Sequence, residues 1–579
     1  MKMGTNRELV KMFRDMALMY ELEEVQWKPR AYREAAYGIE GLSRDVKDIF
    51  KKDGREGLKE IPGVGDSIAY HIIEYIKKGN IKKFNELRKK YPKEITELVD
   101  LEGMGPKKVK VLIKKLKISS PEKLKKAAKE HRIRKLKGFG EKTEQNILDA
   151  LKIKKESKKR MRVDKALEIA EEIVEYMKKK APLQEIDYVG SLRRMRTTIG
   201  DIDILVISKS PKKVIDAFTK MDSVRKVISK GTTRSSVILK EDDFHADLRV
   251  VDKSSYAGAM QYFTGSKEHS IELRKIAIKK GYKLSEYGIF KRKKGKKNKK
   301  IPLKSEKALY EKLGLQYIPP EMRENRGELQ AAKKKQIPDL VELKDIKGDF
   351  HIHTKYSDGS NTIEEMVKAA KKKGYAYIAI ADHSKSTRIA KGMDEKKLKR
   401  QIAAINKLAK KEKIKILKSA EVDILKDGSL DYPDSILKKL DIVIGGVHSN
   451  FKMSSRKMTE RIIKALKNKH LTILAHPTGR SIGKRDRYDA DFEKIFKAAA
   501  KNKKILEINS QPERLDLDGA NILAAKKLGC KFCINTDSKD TSDLDLMKLG
   551  VGQARRGWLE KKDVINTRTC AQLKKIFKL

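Results

Sequence analysis

At 579 residues the chain is too long for one hydrophobic core and predicts several domains. Its 136 Lys and Arg against 81 Asp and Glu give a formal net charge of +55, which points to a polyanionic partner, nucleic acid first, or to a composition rich in lysine throughout. Three cysteines exclude a disulfide framework and predict a reducing, cytoplasmic setting; no apolar run reaches the ~18 residues that span a bilayer, and MKMGTNRELVKMF has no signal-peptide core.

Residues 1–80 and 81–160 read as two small helical domains, with apolar residues at helical spacing in ELVKMFRDMALMYEL and SIAYHIIEYI. Three turns there share one design: IPGVGDSIAYHII (61–73), LEGMGPKKVKVLI (101–113) and LKGFGEKTEQNIL (136–148). In each, Gly-x-Gly (Gly63 and Gly65, Gly103 and Gly105, Gly138 and Gly140) opens an amphipathic helix. The glycines permit a tight turn whose backbone N–H groups face outward, a phosphate-binding geometry that reads no base.

From residue 161 the pattern changes to α+β, expected as a catalytic sheet domain over 161–252 and a smaller domain over 253–320. VGSLRRMRTTIGDIDILVIS (189–208) places Asp201 and Asp203 two apart on a strand, hence on one face. Two such carboxylates repel unless cations sit between them, and a pair of Mg²⁺ or Mn²⁺ ions suits in-line phosphoryl transfer. Asp247 in FHADLRVV, on a later strand, supplies a third carboxylate. Gly190, Ser191 and Arg194 fit a turn that cradles a triphosphate, and Gly200 opens the Asp-x-Asp turn. The run KRKKGKKNKK (291–300) reads as a solvated basic loop or a phosphate contact. The polar stretch 321–345 reads as a linker.

Over 346–579, short apolar strands alternate with helices in the manner of a parallel α/β barrel, whose active site gathers at the C-terminal strand ends. Six of the ten histidines lie there. His351 and His353 form His-x-His; Asp358, His383, Glu421, His448, His476 and Asp537 follow at or just beyond strand ends. Imidazoles and carboxylates so placed suit Zn²⁺, Mn²⁺ or Fe, with Glu421 a natural bridging ligand. Cys530 and Cys533 lie on a strand with opposite facings, which argues against a zinc or redox pair.

These motifs resemble known families. The Gly-x-Gly turns are similar to helix-hairpin-helix motifs, which hold DNA by its backbone. KPRAYREAA (28–36) resembles the small N-terminal domain of DNA polymerase beta and implies that Lys28, Tyr32 and Arg33 lie near a 5′-phosphate pocket for gapped or nicked DNA. His71 and Ser67 stand where that domain carries lysines, and an imidazole forms no imine, so lyase activity is not expected. GSxRR, GDxD, DLR and YFTGS (262–266) in this order resemble the palm and thumb of family X DNA polymerases. That resemblance implies deoxynucleoside triphosphate substrates, with Tyr262 and Phe263 against the incoming sugar, Gly265 allowing close approach, and Arg274 and Glu286 near template. Ser270 and His245 depart from the usual Asn and Arg.

The C-terminal ligand set, with DYPD (431–434) and GVGQARRGWL (550–559), resembles the PHP domain, a (β/α)7-type barrel with a trinuclear centre fused to many prokaryotic family X polymerases. The resemblance implies 3′-to-5′ exonuclease activity and opens AP-endonuclease or 3′-phosphatase activity. The family's last Asp-x-His is Asp537-Ser538-Lys539 here, so fewer than three tightly held ions are expected. The reading is a monomeric, nucleoid-associated gap-filling repair polymerase with a second, hydrolytic centre. Its alternatives are a nuclease whose polymerase half only positions DNA, and a DNA-binding scaffold.

Overall fold

The computed structural model describes residues 5–40, 42, 45–99, 101, 104–156, 160–292 and 298–577, which fall into two compact units, 1–159 and 160–579. Among the described residues no helix is long and apolar enough to cross a membrane.

Among its described residues the first unit forms helices and no strand. Its helices bury one apolar stripe each, with Leu9, Phe13, Met16, Leu58, Ile72, Leu98, Leu112 and Leu124 in one core. The three Gly-x-Gly turns are built alike. Val64 N–H donates to Ile61 O (2.9 Å), Met104 N–H to Leu101 O (3.0 Å) and Phe139 N–H to Leu136 O (2.9 Å). The buried apolar residue between each glycine pair pins the turn to the core, and the helices Asp66–Lys78, Pro106–Leu116 and Glu141–Glu156 start directly after it.

In the second unit the short strand Met161–Arg162 leads into the long helix Val163–Lys180, which covers a five-stranded sheet. The strand order is Glu185–Tyr188, Ile202–Ile207, His245–Val251, Arg234–Leu239 and Val224–Lys230, with only the second and third strands parallel. Helices Tyr256–Thr264, Lys267–Lys279 and Glu306–Lys312 and a small antiparallel sheet follow. Lys291 and Lys299, at the two ends of the basic run, pair across two antiparallel strands of that sheet; residues 293–297 lie outside the described residues.

The seven strands Gly348–Ile352, Tyr377–Ile380, Lys415–Asp423, Ile442–Gly446, Ile473–Leu474, Ile505–Asn509 and Lys531–Asn535 are parallel and neighbour one another in chain order. A bridge between Ile352 and Ser538 brings the last strand end to the first, and the sheet nearly closes into a barrel. Cys530 and Cys533 are both buried, and each thiol points at a backbone carbonyl.

The stretch 321–345 is not a linker. It carries the helix Glu328–Lys333, and Leu329, Ala332, Leu340 and Val341 are buried. Its charges misled because they are neutralised inside the protein. The fully buried Arg323 pairs with Glu306, and the fully buried Glu328 accepts from Asn325 N–H, Arg326 N–H and His269 Nδ1. Burial raises the Glu306 carboxyl, but Arg323 and Arg193 outweigh it and hold the group at about 2. A carboxylate depressed from 4.5 to about 2 adds stability above its unfolded value, lost as pH falls through the folded one. Glu306→Ala strands the Arg323 guanidinium and is expected to cost about 3–5 kcal/mol. Urea unfolding of the full chain, followed at Trp558 in a Trp27→Phe background, measures it; a cost below about 1 kcal/mol, the scale of an exposed pair, contradicts the assignment.

Candidate active sites

Two constellations of metal-ligating side chains stand out, both in the second unit. In the five-stranded sheet, parallel pairing sets Asp203 directly beside Asp247, and Asp201 precedes the same strand. Oxygens of all three carboxylates lie within 4.8 Å of one another at the solvent-facing strand ends. Three carboxylates so close suit a divalent cation. Ser236, opposite Asp247 on the neighbouring strand, donates to it. Gly190 is in the left-handed region (φ +64°), and a Cβ there would collide with Asp203 Oδ2. The GS turn is therefore packed directly on the carboxylates, and Ser191 follows it, half-buried.

Gly200 lies under the Arg160 guanidinium, where a Cβ would stand 3.1 Å away. Gly265 (φ +71°) is equally close to Arg194. Arg194 itself is buried; its Nε donates to Glu324 (3.1 Å) and its guanidinium to Thr264 O. Its charge is thus shared with the protein interior. Tyr262 and Phe263 meet edge to face at 5.1 Å, with Arg249 over the Phe263 ring and Arg274 beside Tyr262. Arg274 also donates to Ser270 O (3.1 Å). His245 is buried at the start of its strand.

In the barrel the strand ends converge on Glu421, which is almost fully buried. His448 Nε2 (3.0 Å) and His476 Nε2 (2.8 Å) approach its Oε1; His383 Nδ1 (3.0 Å) and His351 Nε2 (3.4 Å) approach its Oε2. Burial raises the Glu421 carboxyl, but His448, His383 and His351 outweigh it and hold it well below the usual range. His353 Nε2 stands 3.1 Å from His351 Nε2 and 3.0 Å from Asp537 Oδ1. Two imidazole nitrogens aimed at each other beside a carboxylate form a donor set for a cation. His383 Nδ1 also reaches Glu421 without hydrogen-bond geometry, as two ligands of one ion would. Asp358 joins through His353 Nδ1 (3.3 Å) and His383 Nε2 (3.7 Å). Asp537 (φ +51°) and His476 (φ +28°) hold left-handed backbone, strain of the kind that gathers at functional sites. Gly446 is required because a Cβ would stand 2.5 Å from His448 Cε1 and 2.8 Å from Glu421 Oε1.

Further residues complete this centre. Glu507, in the middle of its strand, accepts from His351 Nδ1 (2.7 Å), which fixes how that ring faces the cluster, and from the His476 backbone N–H (2.8 Å). Its charge in the middle of a strand was the available signal. Asp423 lies 3.4 Å from His448 Nδ1. Lys539 Nζ donates to Asp537 Oδ1 (2.7 Å) and lies 3.7 Å from Asp358 Oδ2, so an ammonium stands beside the group formed by His353, Asp358 and His383. Arg514 Nε lies 3.6 Å from the other Asp537 oxygen. His470 lies apart, 3.5 Å from Asp434.

In the first unit Gly65, Gly105, Gly138 and Gly140 are exposed with open space before them, as backbone contacts to a large ligand require. Gly63 (φ +83°) is packed on Glu34, and Gly103 lies outside the described residues. Lys28 reaches over the Tyr20 ring (4.9 Å), Arg33 pairs with Glu21, and the Tyr32 ring is buried between Phe13 and Tyr20. His71 lies beside Tyr32 (6.2 Å), where burial, against Glu74, lowers its pKa.

Comparison with known proteins agrees with this layout. A helix-hairpin-helix domain matches residues 4–81, a SAM-like helix-hairpin-helix tandem 95–154, the DNA polymerase beta thumb 259–324 and the PHP domain 349–511. The DNA polymerase/3′-5′ exonuclease PolX of Bacillus subtilis (strain 168) is 36% identical over 575 residues, 99% of both chains. This chain belongs to the family X DNA polymerases that carry a PHP domain. A probable phosphatase of Thermoanaerobacter sp. (strain X514) is 32% identical over 234 residues, 38% of this chain and 89% of that one. A probable phosphatase of Caldanaerobacter subterraneus is 32% identical over 201 residues, 33% and 75%. Family membership and the His/Asp cluster together imply that the barrel binds metal, and the helix-hairpin-helix domains imply DNA binding.

Gly190→Ala is expected to displace the Asp203 carboxylate and lower primer extension about 10²-fold, the scale of a roughly 1 Å misplacement, with hydrolysis in the barrel unchanged. An unchanged extension rate contradicts the packing described for this turn.

Proposed function

We propose that this chain fills short gaps in DNA at the palm and trims 3′ ends in the PHP barrel, as a DNA polymerase with a 3′-to-5′ exonuclease. The observation that carries the reading is the carboxylate trio Asp201, Asp203 and Asp247, brought together by the parallel pairing of two strands. The complete trio argues against a half that only positions DNA and against a scaffold.

The residues take these roles. The trio holds Mg²⁺ or Mn²⁺ at the palm. Gly190 and Ser191 receive the triphosphate of an incoming deoxynucleotide, Tyr262 and Phe263 lie against its sugar, and Arg274 reaches template. The helix-hairpin-helix turns hold the DNA backbone, with Lys28 and Arg33 near a 5′-phosphate and the buried Tyr32 supporting them from beneath. In the barrel His351, His353, Glu421 and Asp537 would hold one Zn²⁺ or Mn²⁺, and Glu421 with His448, His476 and His383 a second. Bound divalent ions supply Lewis-acid stabilisation of phosphoryl charge and make the attacking oxygen more acidic. Lys539 and Arg514 flank Asp537 and offer fixed positive charge to a phosphate oxygen. The chain acts as a cytoplasmic, nucleoid-associated monomer. The domain roles run as 1–80 for 5′-phosphate ends, 81–160 for duplex, 161–252 palm, 253–320 thumb and 346–579 hydrolase.

Asp203→Ala is expected to abolish primer extension on gapped DNA with either Mg²⁺ or Mn²⁺ while DNA binding persists; wild-type extension by the variant overturns the polymerase reading. In the barrel, elemental analysis should find fewer than three tightly held ions. Lys539→Ala should cripple the exonuclease, because the ammonium stands in for a third cation. Three retained ions, or an exonuclease indifferent to Lys539→Ala, contradict that role.

A further inference from the structure

The motif GVGQARRGWL (550–559) belongs to neither ligand cluster, yet it contacts both the palm and the barrel strands. It falls on the helix Met547–Arg556 and the turn after it. Gly550 and Gly552 are two apart and face opposite sides of that helix. A Cβ on Gly550 would collide with Ser510 Oγ and stand 2.6 Å from Ile534, so this face is seated on the barrel strands. A Cβ on Gly552 would stand 2.7 Å from Met195 Cε and 3.2 Å from Met195 Cβ, so the other face is seated on the palm. Gln553 and Arg556 share the palm-facing side. Gln553 Nε2 donates to Met195 O (2.9 Å), and Arg556 donates to Arg194 O.

These contacts grip one segment, 189–196. Its short helix Gly190–Arg193 is closed by Met195 N–H to Leu192 O (2.8 Å) and Arg196 N–H to Ser191 O (3.1 Å). Met195 has a φ of +52°, a region that a non-glycine residue keeps only when its surroundings hold it. The surroundings that hold it are Gln553 and Gly552. Beneath them Glu324, buried, gathers three guanidinium groups: Arg194 (3.1 Å), Arg196 (3.2 Å) and Arg556 (3.0 Å). Two of these belong to the palm segment and one to the barrel helix. At the far end of the segment Gly190 is packed on Asp203. Contact therefore runs without a break from the barrel to the palm carboxylates.

We propose that Gln553 and Arg556 are positioning residues for nucleotide addition: the barrel domain holds the palm segment 189–196 in the conformation that receives the triphosphate. The proposal rests on the reading of Gly190 and Ser191 as the triphosphate cradle. It assigns the PHP domain a part in polymerisation that is separate from its own chemistry.

The test is steady-state gap filling by the full chain, with exonuclease activity, metal content and thermal midpoint measured on the same preparations. Gln553→Ala should raise KM for the deoxynucleotide about 3- to 10-fold, the worth of one hydrogen bond, with the other three readouts at wild-type values. Met195→Gly adopts φ +52° without strain, so adding Gln553→Ala in that background should change KM less than twofold. Ser191→Ala separates the two readings. If it raises KM while Gln553→Ala does not, the positioning role is wrong and the cradle stands. If Ser191→Ala leaves KM unchanged, the cradle reading fails, whatever Gln553→Ala does. A fall of both activities together with the thermal midpoint in Gln553→Ala means that Gln553 serves stability alone, and it overturns the proposal.

Discussion

Like charge at strand ends is the constraint on which the rest of this chain is arranged. Asp201, Asp203 and Asp247 bring carboxylate oxygens within 4.8 Å of one another, and His351 and His353 aim ring nitrogens at each other beside Asp537. Such groupings lose free energy in a folded protein unless a cation is supplied. Parallel pairing makes them unavoidable in the palm, because it sets Asp203 beside Asp247. In the barrel the C-terminal strand ends all open towards one mouth. Each centre is surrounded by parts that hold ligands still: Ser236 and Gly190 in the palm, Glu507, Asp423 and Gly446 in the barrel.

The two centres are not separate modules on a string. Leu515 and Leu549 of the barrel domain complete the apolar core under the palm sheet. Buried charge does the remaining fastening. Arg323 with Glu306, and Glu324 with its three arginines, tie the thumb, the palm and the barrel helix. Burial pushes the Glu324 carboxyl up, but Arg556, Arg194 and Arg196 together hold it well below the usual range. Breaking a buried ion pair leaves the remaining charge uncompensated and is costly, which suits a junction that aligns an active-site loop.

Much of this was legible in the amino-acid order because the chemistry is local. Asp-x-Asp and His-x-His place two ligands on one face by strand period alone, and three Gly-x-Gly turns announce themselves by repetition. What was not legible depended on contacts across the chain. The stretch 321–345 looks solvated because its Arg and Glu residues have partners that no local pattern reveals. Arg194 reads as part of a triphosphate turn, and its pairing with Glu324, 130 residues away, has no local signature. Tyr32 lies in a run that resembles a phosphate pocket, yet its ring belongs to the helical core. The edge strand Val224–Lys230 alternates poorly because much of it faces solvent. Glu507 could have been suspected as a charge in the middle of its strand and Asp423 as a carboxylate at a strand end, but only the fold shows which histidines they meet.

The most direct measurement is anomalous diffraction from crystals of the full chain equilibrated with Mn²⁺. The account predicts signal within ligand distance of Asp201, Asp203 and Asp247. It also predicts two peaks in the barrel, one among His351, His353 and Asp537 and one among Glu421, His448 and His476, with none beside Lys539. A palm without signal, or a third barrel peak beside the Lys539 ammonium, would contradict it.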